Sequence, residues 1–243
     1  MLYIVPTPIG NLDDITVRAK KVFEKAKIVL CEDGKITAKL FQLLEIQNKP
    51  HFVNVVRNNV FNTSGVTKAL ENLIGTNTDT NLNNTIHIFA NLSLENDEQV
   101  VAMVSDAGTP GISDPGYETI ALAQKLAVQY TVLPGATAFV PSAVVSNLIS
   151  KEFIFWGFLP LKKGRQTAWK ELNNSQLPVI MYESVHRIAK WIEEAQVYLS
   201  PSTQICISQE ISKKHENHWI GTTSELSIYP LVEKGEFVIT VRN

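Results

Sequence analysis

The stretch Val100-Val101-Ala102-Met103-Val104-Ser105-Asp106-Ala107-Gly108-Thr109-Pro110-Gly111-Ile112-Ser113-Asp114-Pro115-Gly116 restricts the fold more than any other. Its first five residues form an unbroken apolar run of strand length, which fits a strand buried on both faces. Tyr117 to Ala127 then carries apolar residues at helical spacing. The turn between them holds three glycines, two prolines and the carboxylates Asp106 and Asp114. A plain strand-to-helix connection takes only about two to six residues. Glycine lets backbone approach a ligand and proline stiffens the loop. In open α/β sheets ligands bind outside the carboxyl ends of the strands. The loop is therefore a candidate site, with an ordinary tight crossover as the alternative.

The same grammar recurs along the first half. Leu2 to Val5 reads as a strand, followed by the stiff loop Pro6-Thr7-Pro8-Ile9-Gly10-Asn11. Asp13 or Asp14 can cap a helix whose inner face carries Ile15, Ala19, Val22 and Phe23. With one glycine and no Gly-Lys-Ser/Thr, the loop is neither a dinucleotide fingerprint nor a Walker loop. Ile28 to Cys31 is the next strand, with Glu32 and Asp33 at its end and Lys35 and Thr37 just beyond. Two carboxylates there can hold a hydroxyl, a ribose or a cation; equally, Asp33 can cap the helix bearing Leu40, Leu43 and Leu44. Phe52 to Val56 reads as a third strand, and Thr63 or Ser64 as the cap of a helix with Val66, Leu70, Leu73 and Ile74 inward. The polar, asparagine-rich segment 75–97 lacks a sustained period and reads as a surface insertion, with Ile86 to Phe89 as a short edge strand. Thr131 to Leu133 is a strand broken by Pro134-Gly135-Ala136-Thr137-Ala138, and a helix runs through Val140 to Leu148. Small residues at that turn leave room for a flat ligand or for close helix-to-sheet packing.

The pattern then restarts. Phe153 to Trp156 is a strand, Gly157-Phe158-Leu159-Pro160 a turn, and Lys162, Lys163 and Arg165 the densest basic cluster, opening a helix with Trp169 and Leu172. That cluster either grips phosphates or is a solvated helix start. Pro178 to Tyr182 is a strand ending in Glu183 and Ser184, and His186 and Arg187 begin a helix packed through Ile188, Trp191 and Ile192. Gln204 to Ser208 and Gly235 to Val241 are strands, His218 to Thr222 a hairpin arm, and Ser224 the cap of a short helix. Strands alternating with helices predict an α/β fold with two domains, 1–134 and 135–243.

Composition narrows the chemistry. The net charge of −2 gives no global basic field, so a nucleic-acid partner must meet a local patch. Cys31 and Cys206 lie far apart in apolar runs and read as buried free thiols. His215 and His218 lack further ligands at zinc spacing, so no metal is expected. There is no Gly-x-Ser-x-Gly elbow for a serine hydrolase. Leu2 to Val5 is too short for a signal segment and no apolar run reaches transmembrane length, so the expectation is a cytoplasmic protein with no membrane association.

Taken in order, the loops resemble the tetrapyrrole methylase superfamily, in its branch acting on ribosomal RNA. The matching pieces are residues 2–16, Glu32-Asp33, 105–117, 133–138, 157–160, 182–187 and 234–238. The resemblance implies two α/β sheets with S-adenosylmethionine bound in a cleft between the domains. It also implies a homodimer, and 2′-O-methylation of a cytidine ribose in small-subunit (16S) rRNA or the assembled small ribosomal subunit. By position, Pro8, Ile9, Ser105, Asp106, Ala107, Gly108, Thr109, Thr137, Ala138, Tyr182 and Glu236 are expected at the cofactor. Glu32, Asp33, Asp114, Glu183 and His186 are the candidates to accept the hydroxyl proton. Asn11, Lys35, Thr37, Arg187, Lys162, Lys163 and Arg165 are the candidates to hold RNA. The family's Glu-Asp-Thr-Arg-x-Thr is here Glu32-Asp33-Gly34-Lys35-Ile36-Thr37, where lysine keeps the charge but not the guanidinium fork. Methylation of a tetrapyrrole or protein acceptor, or a non-catalytic cofactor- or RNA-binding relative, are the alternatives.

Overall fold

A computed structural model describes residues 1–73 and 99–243. The expected insertion 75–97, its edge strand and Ile74 lie outside the described residues. The chain divides into two compact units, Met1–Ala136 and Thr137–Asn243.

The first unit is built on strands β1 (Leu2–Ile4), β2 (Ile28–Cys31), β3 (His51–Asn54), β6 (Val101–Met103) and β7 (Tyr130–Val132). They form one parallel sheet in the order β3-β2-β6-β1-β7. A small hairpin, β4 (Val56–Arg57) and β5 (Val60–Phe61), follows β3. Helices α1 (Val17–Lys25), α2 (Gly34–Leu43), α3 (Thr63–Glu71) and α4 (Tyr117–Lys125) complete the unit. Successive strand residues point to opposite faces, and both faces are covered. Tyr3, Val29, Cys31, Ala102 and Val104 pack on Ala19, Val22 and Phe23 of α1 and Phe41 of α2. Leu2, Ile4, Leu30, Val101 and Met103 pack on Val66, Ala69 and Leu70 of α3 and Ala123 of α4.

The second unit holds a mixed sheet in the order β11-β10-β12-β9-β8. Its strands are β8 (Ile154–Phe158), β9 (Val179–Ser184), β10 (Gln204–Gln209), β11 (Asn217–Thr222) and β12 (Glu236–Arg242). β8 and β9 run parallel, while β12 runs antiparallel to both β9 and β10. Helices α6 (Arg165–Asn173) and α7 (Ile188–Tyr198) cover one face. There Trp169, Leu172, Ile188, Trp191 and Ala195 pack on Val179, Met181, Ile205, Ile207, Phe237 and Ile239. Helix α5 (Phe139–Ser146) meets the sheet through a polar contact, Ser142 Oγ donating to Ser208 Oγ at 3.0 Å. The α/β reading of the sequence is borne out.

Local details differ from expectation where a cheaper cap was available. Asp13 and Asp14 do not cap α1; they form a short 3-10 turn, and Thr16 Oγ1 accepts from Ala19 N–H at 3.0 Å instead. Asn62, rather than Thr63 or Ser64, caps α3 through Gly65 N–H at 3.1 Å. Thr222, rather than Ser224, starts the late 3-10 turn, its N–H donating to Glu225 at 2.8 Å. The Arg57-Asn58-Asn59 connection turns a hairpin, with Asn58 and Asn59 at φ +51° and +61°, the left-handed pair that tight hairpins require.

Candidate functional site

In the first sheet β1 lies between β6 and β7, so the loops after these three strands leave one edge side by side. They are laced together. Thr7 N–H donates to Gly108 O at 2.9 Å, and Gly108 N–H returns to Thr7 O at 3.1 Å. Buried Thr7 also donates its hydroxyl to Ser105 O at 3.2 Å. Ser105 Oγ lies 3.3 Å from both Ala107 O and Gly108 O, folding that turn on itself. Thr109 Oγ1 donates to Ala136 O at 2.9 Å and ties in the loop after β7. Gly108 sits at φ +80°, where a side chain is strained, and Ile9 lies against it. Gly116 is required sterically: a Cβ there would meet Gly111 N at 2.7 Å. Pro8, Ile9 and 105–109 are thus brought together, whereas Asp114, half-buried, lies farther along the same loop.

Carboxylates gather at the ends of β2 and β6. Asp33 N–H donates to Asp106 Oδ1 at 3.2 Å, and Asp106 N–H approaches Glu32 Oε2 at 3.4 Å. Burial raises the Glu32 carboxyl above its ordinary range, opposed by the Asp106 N–H and reinforced by the Asp106 and Asp33 charges. Burial likewise raises Asp106, with Asp33 adding to it. Burial pushes the nearby Cys31 thiol up to about 11, so it is an inert core thiol. Asp33 caps α2 through Lys35 N–H at 2.7 Å, so the cap alternative describes one of its oxygens. Thr37 is 2% exposed and donates to Asp33 O at 3.0 Å; it braces Asp33 and is too buried to hold RNA. Asn11 and Lys35 are exposed, and Asn11 Oδ1 accepts from Asp13 N–H at 3.1 Å.

The second sheet collects its candidates at one end. Phe158 pairs in register with Tyr182, and Glu236 with Ser184. Tyr182 makes edge contacts with Phe155 and Phe158 at 5.1 and 5.8 Å. Glu236 is exposed and pairs with Lys213 at 2.9 Å. Thr137 and Ala138 precede α5, half-exposed, and His186 is exposed before α7. Glu183 is different. It shares the Met181 face, is 2% exposed, and binds Arg187 at 2.7 Å and Ser184 N–H at 2.8 Å. Burial raises its carboxyl, and the Ser184 N–H and Arg187 oppose that shift. A carboxylate locked there is a structural ion pair, which corrects its candidacy as proton acceptor.

Arg165 requires a second correction. Its side chain is buried and lies 2.6 Å from Glu194, while Nη1 donates to Pro160 O at 3.0 Å. Trp169 Nε1 donates to the same carboxylate at 2.9 Å. Arg165 is therefore neither a solvated helix start nor a phosphate grip; Lys162 and Lys163 remain exposed. Sequence reasoning missed Thr7, the Ala136 carbonyl and Glu194, all of which act through contacts distant in sequence. Among the described residues no group of three or more His, Cys, Asp or Glu side chains is arranged to hold a metal ion.

The model of the tetrapyrrole (corrin/porphyrin) methylase family matches residues 1–227. The solved uroporphyrin-III C-methyltransferase of Thermus thermophilus superposes with TM-score 0.62 at 15% identity, over 99% of this chain and 93% of that one. A cobalt precorrin-4 methyltransferase superposes with TM-score 0.63 at 15% identity, over 98% and 93%. These likenesses bear out the fold, and the chain belongs to the tetrapyrrole methylase family. Its curated relatives place it in one branch. It is 32% identical to ribosomal RNA small subunit methyltransferase I of Synechocystis, covering 99% of this chain and 78% of the relative. The protein of the same name from Campylobacter fetus is 37% identical over 93% and 76%. That from Helicobacter pylori is 31% identical over 100% and 83%. The resemblance read from the loop motifs is borne out.

Proposed function

We propose that this chain transfers the methyl group of S-adenosylmethionine to the ribose 2′-hydroxyl of a cytidine in 16S rRNA, acting as a cytoplasmic homodimer on the small ribosomal subunit. The observation that carries the reading is the similarity, over almost the whole chain, to relatives named as small-subunit rRNA methyltransferases. A uroporphyrin-III C-methyltransferase of the same fold was solved with S-adenosylhomocysteine. The chain is an S-adenosylmethionine-dependent methyltransferase with small-subunit rRNA as its substrate. Among the described residues no helix is long and apolar enough to cross a membrane.

The donor set fits that cofactor. Its ammonium and ribose hydroxyls need acceptors, and the end of the first sheet offers the desolvated carboxylate of Asp106. The cofactor supplies an electrophilic methyl on a sulfonium. Pro8, Ile9 and the laced turn Ser105 to Thr109 would form a rigid wall for it. Most of the acceleration is positioning of the sugar hydroxyl in line with the methyl carbon. Glu32, Asp33, Asp114 and His186 are the groups assigned to take the hydroxyl proton. Asn11, Lys35, Lys162 and Lys163 are assigned to the RNA, while Arg187 is held in its ion pair with Glu183.

The test is methyl transfer to unmodified small subunits by single variants Glu32→Gln, Asp33→Asn, Asp114→Asn and His186→Gln. One of them loses at least about a hundredfold in rate, as removal of a general base does, while still binding cofactor. Full rates in all four remove the proton-acceptor assignment. Sedimentation at working concentration reads the dimer directly.

A further inference from the structure

Phe158, which ends β8, has no role in the site so far. It has 48% of its surface exposed, and Leu161, Lys162 and Lys163 follow in the next turn, all exposed. Such a turn has no reason to be rigid, yet it is held by two ion-paired arginines. Arg165 Nη1 donates to Pro160 O at 3.0 Å and Arg187 Nη1 to Leu159 O at 3.3 Å. Each arginine is fixed by its own carboxylate, Glu194 at 2.6 Å and Glu183 at 2.7 Å. Arg187 also lies over the Phe158 ring, 5.4 Å from its centroid, and Tyr182 meets that ring edge-on at 5.8 Å. One ring face is thus backed by a cation while much of the side chain stays open to solvent.

An exposed aromatic held in fixed orientation, with exposed lysines four and five positions further along the same turn, is what an unpaired nucleotide can recognise: the base stacks on the ring and the phosphates meet the ammonium groups. We propose that Phe158 is a stacking platform for an unpaired base of the RNA substrate, with Lys162 and Lys163 on the adjoining phosphates and Arg165 and Arg187 as positioning residues. This rests on the RNA-methyltransferase reading. It replaces direct phosphate contact by the two arginines with an indirect role. Glu183 and Glu194 are neutralised by the arginines, so the charge the turn presents is that of its lysines.

The experiment measures binding of the full chain to a single-stranded cytidine-containing oligonucleotide and to small subunits, across a salt series. Phe158→Ala weakens both about tenfold or more, since a base–aromatic stack contributes about that much. Phe158→Trp restores binding and Phe158→Leu does not. Cofactor affinity and the far-ultraviolet spectrum stay unchanged. Lys162→Ala/Lys163→Ala lowers the salt slope by about one to two, as loss of two phosphate contacts requires. Arg187→Lys weakens binding with the salt slope unchanged, which a lost phosphate contact does not do. Wild-type affinity in Phe158→Ala, or equal rescue by leucine and tryptophan, overturns the platform. Absence of methyl transfer by the wild-type chain overturns the reading beneath it, and the oligonucleotide comparison still decides whether Phe158 stacks.

Discussion

Replacing Arg165 by methionine separates a buried clamp from a surface RNA grip. The substitution keeps the aliphatic stem and removes the guanidinium. It leaves Glu194 with only Trp169 Nε1 at 2.9 Å and Lys190 at 3.8 Å, and it orphans Pro160 O. Breaking a fully buried pair costs about 3–5 kcal/mol. The Glu194 side chain is 20% exposed, so water recovers part of that loss, leaving about 2–4 kcal/mol. For a chain of this size the melting temperature then falls by roughly 5–15 °C. All four tryptophans, Trp156, Trp169, Trp191 and Trp219, lie in the second unit, so their fluorescence follows that unit alone. Denaturant titration read by tryptophan emission is therefore the assay. The double variant Arg165→Met/Glu194→Leu recovers much of the loss, because no uncompensated charge remains. A wild-type midpoint in Arg165→Met, together with a salt slope for RNA binding reduced by about one, would refute the reasoning and restore Arg165 as a phosphate contact.

Other perturbations follow from the same geometry. Glu32 has a raised carboxyl in the folded chain, so its ionisation destabilises the native state as pH rises through the range between its ordinary and folded values. Glu32→Gln therefore raises the denaturation midpoint at neutral pH, loses that gain in acid below the ordinary carboxylate range, and still binds cofactor by calorimetric titration. Glu194 behaves oppositely. Burial pushes it up, but Arg165 and Trp169 outweigh this and hold it low, so its stabilisation is present at neutral pH and is lost as pH falls through its depressed value. Glu194→Gln flattens that acid limb in tryptophan-detected melts. Gly108→Ala places a Cβ at φ +80° and costs about 1–2 kcal/mol, with cofactor affinity falling in the same titration. Thr7→Val removes the hydroxyl bond to Ser105 O and costs about 1 kcal/mol, read by amide exchange of the 105–109 turn.

How much of this was legible depended on how local the cause was. The parallel sheet could be read because runs such as Val100 to Val104 are apolar throughout, and the loops because glycine and proline mark them. The Asn58-Asn59 turn also has a local cause, since adjacent asparagines tolerate the left-handed backbone that its hairpin needs. The placement of Glu183 was available from strand parity: it shares the alternation of Val179 and Met181, both core residues. Arg165 was not legible, because its partner Glu194 lies 29 positions away on another helix and only packing brings them together. The bracing of Gly108 by Thr7 and of Thr109 by Ala136 depends in the same way on strand order, which the composition of a loop does not encode.

The most direct measurement is transfer of a labelled methyl group from S-adenosylmethionine to unmodified small ribosomal subunits, with the product mapped by nuclease digestion and mass spectrometry. The account predicts label on the ribose 2′-oxygen of a cytidine in 16S rRNA. A preparation that binds the cofactor yet places no label on small-subunit RNA, or places it on a base, would contradict it.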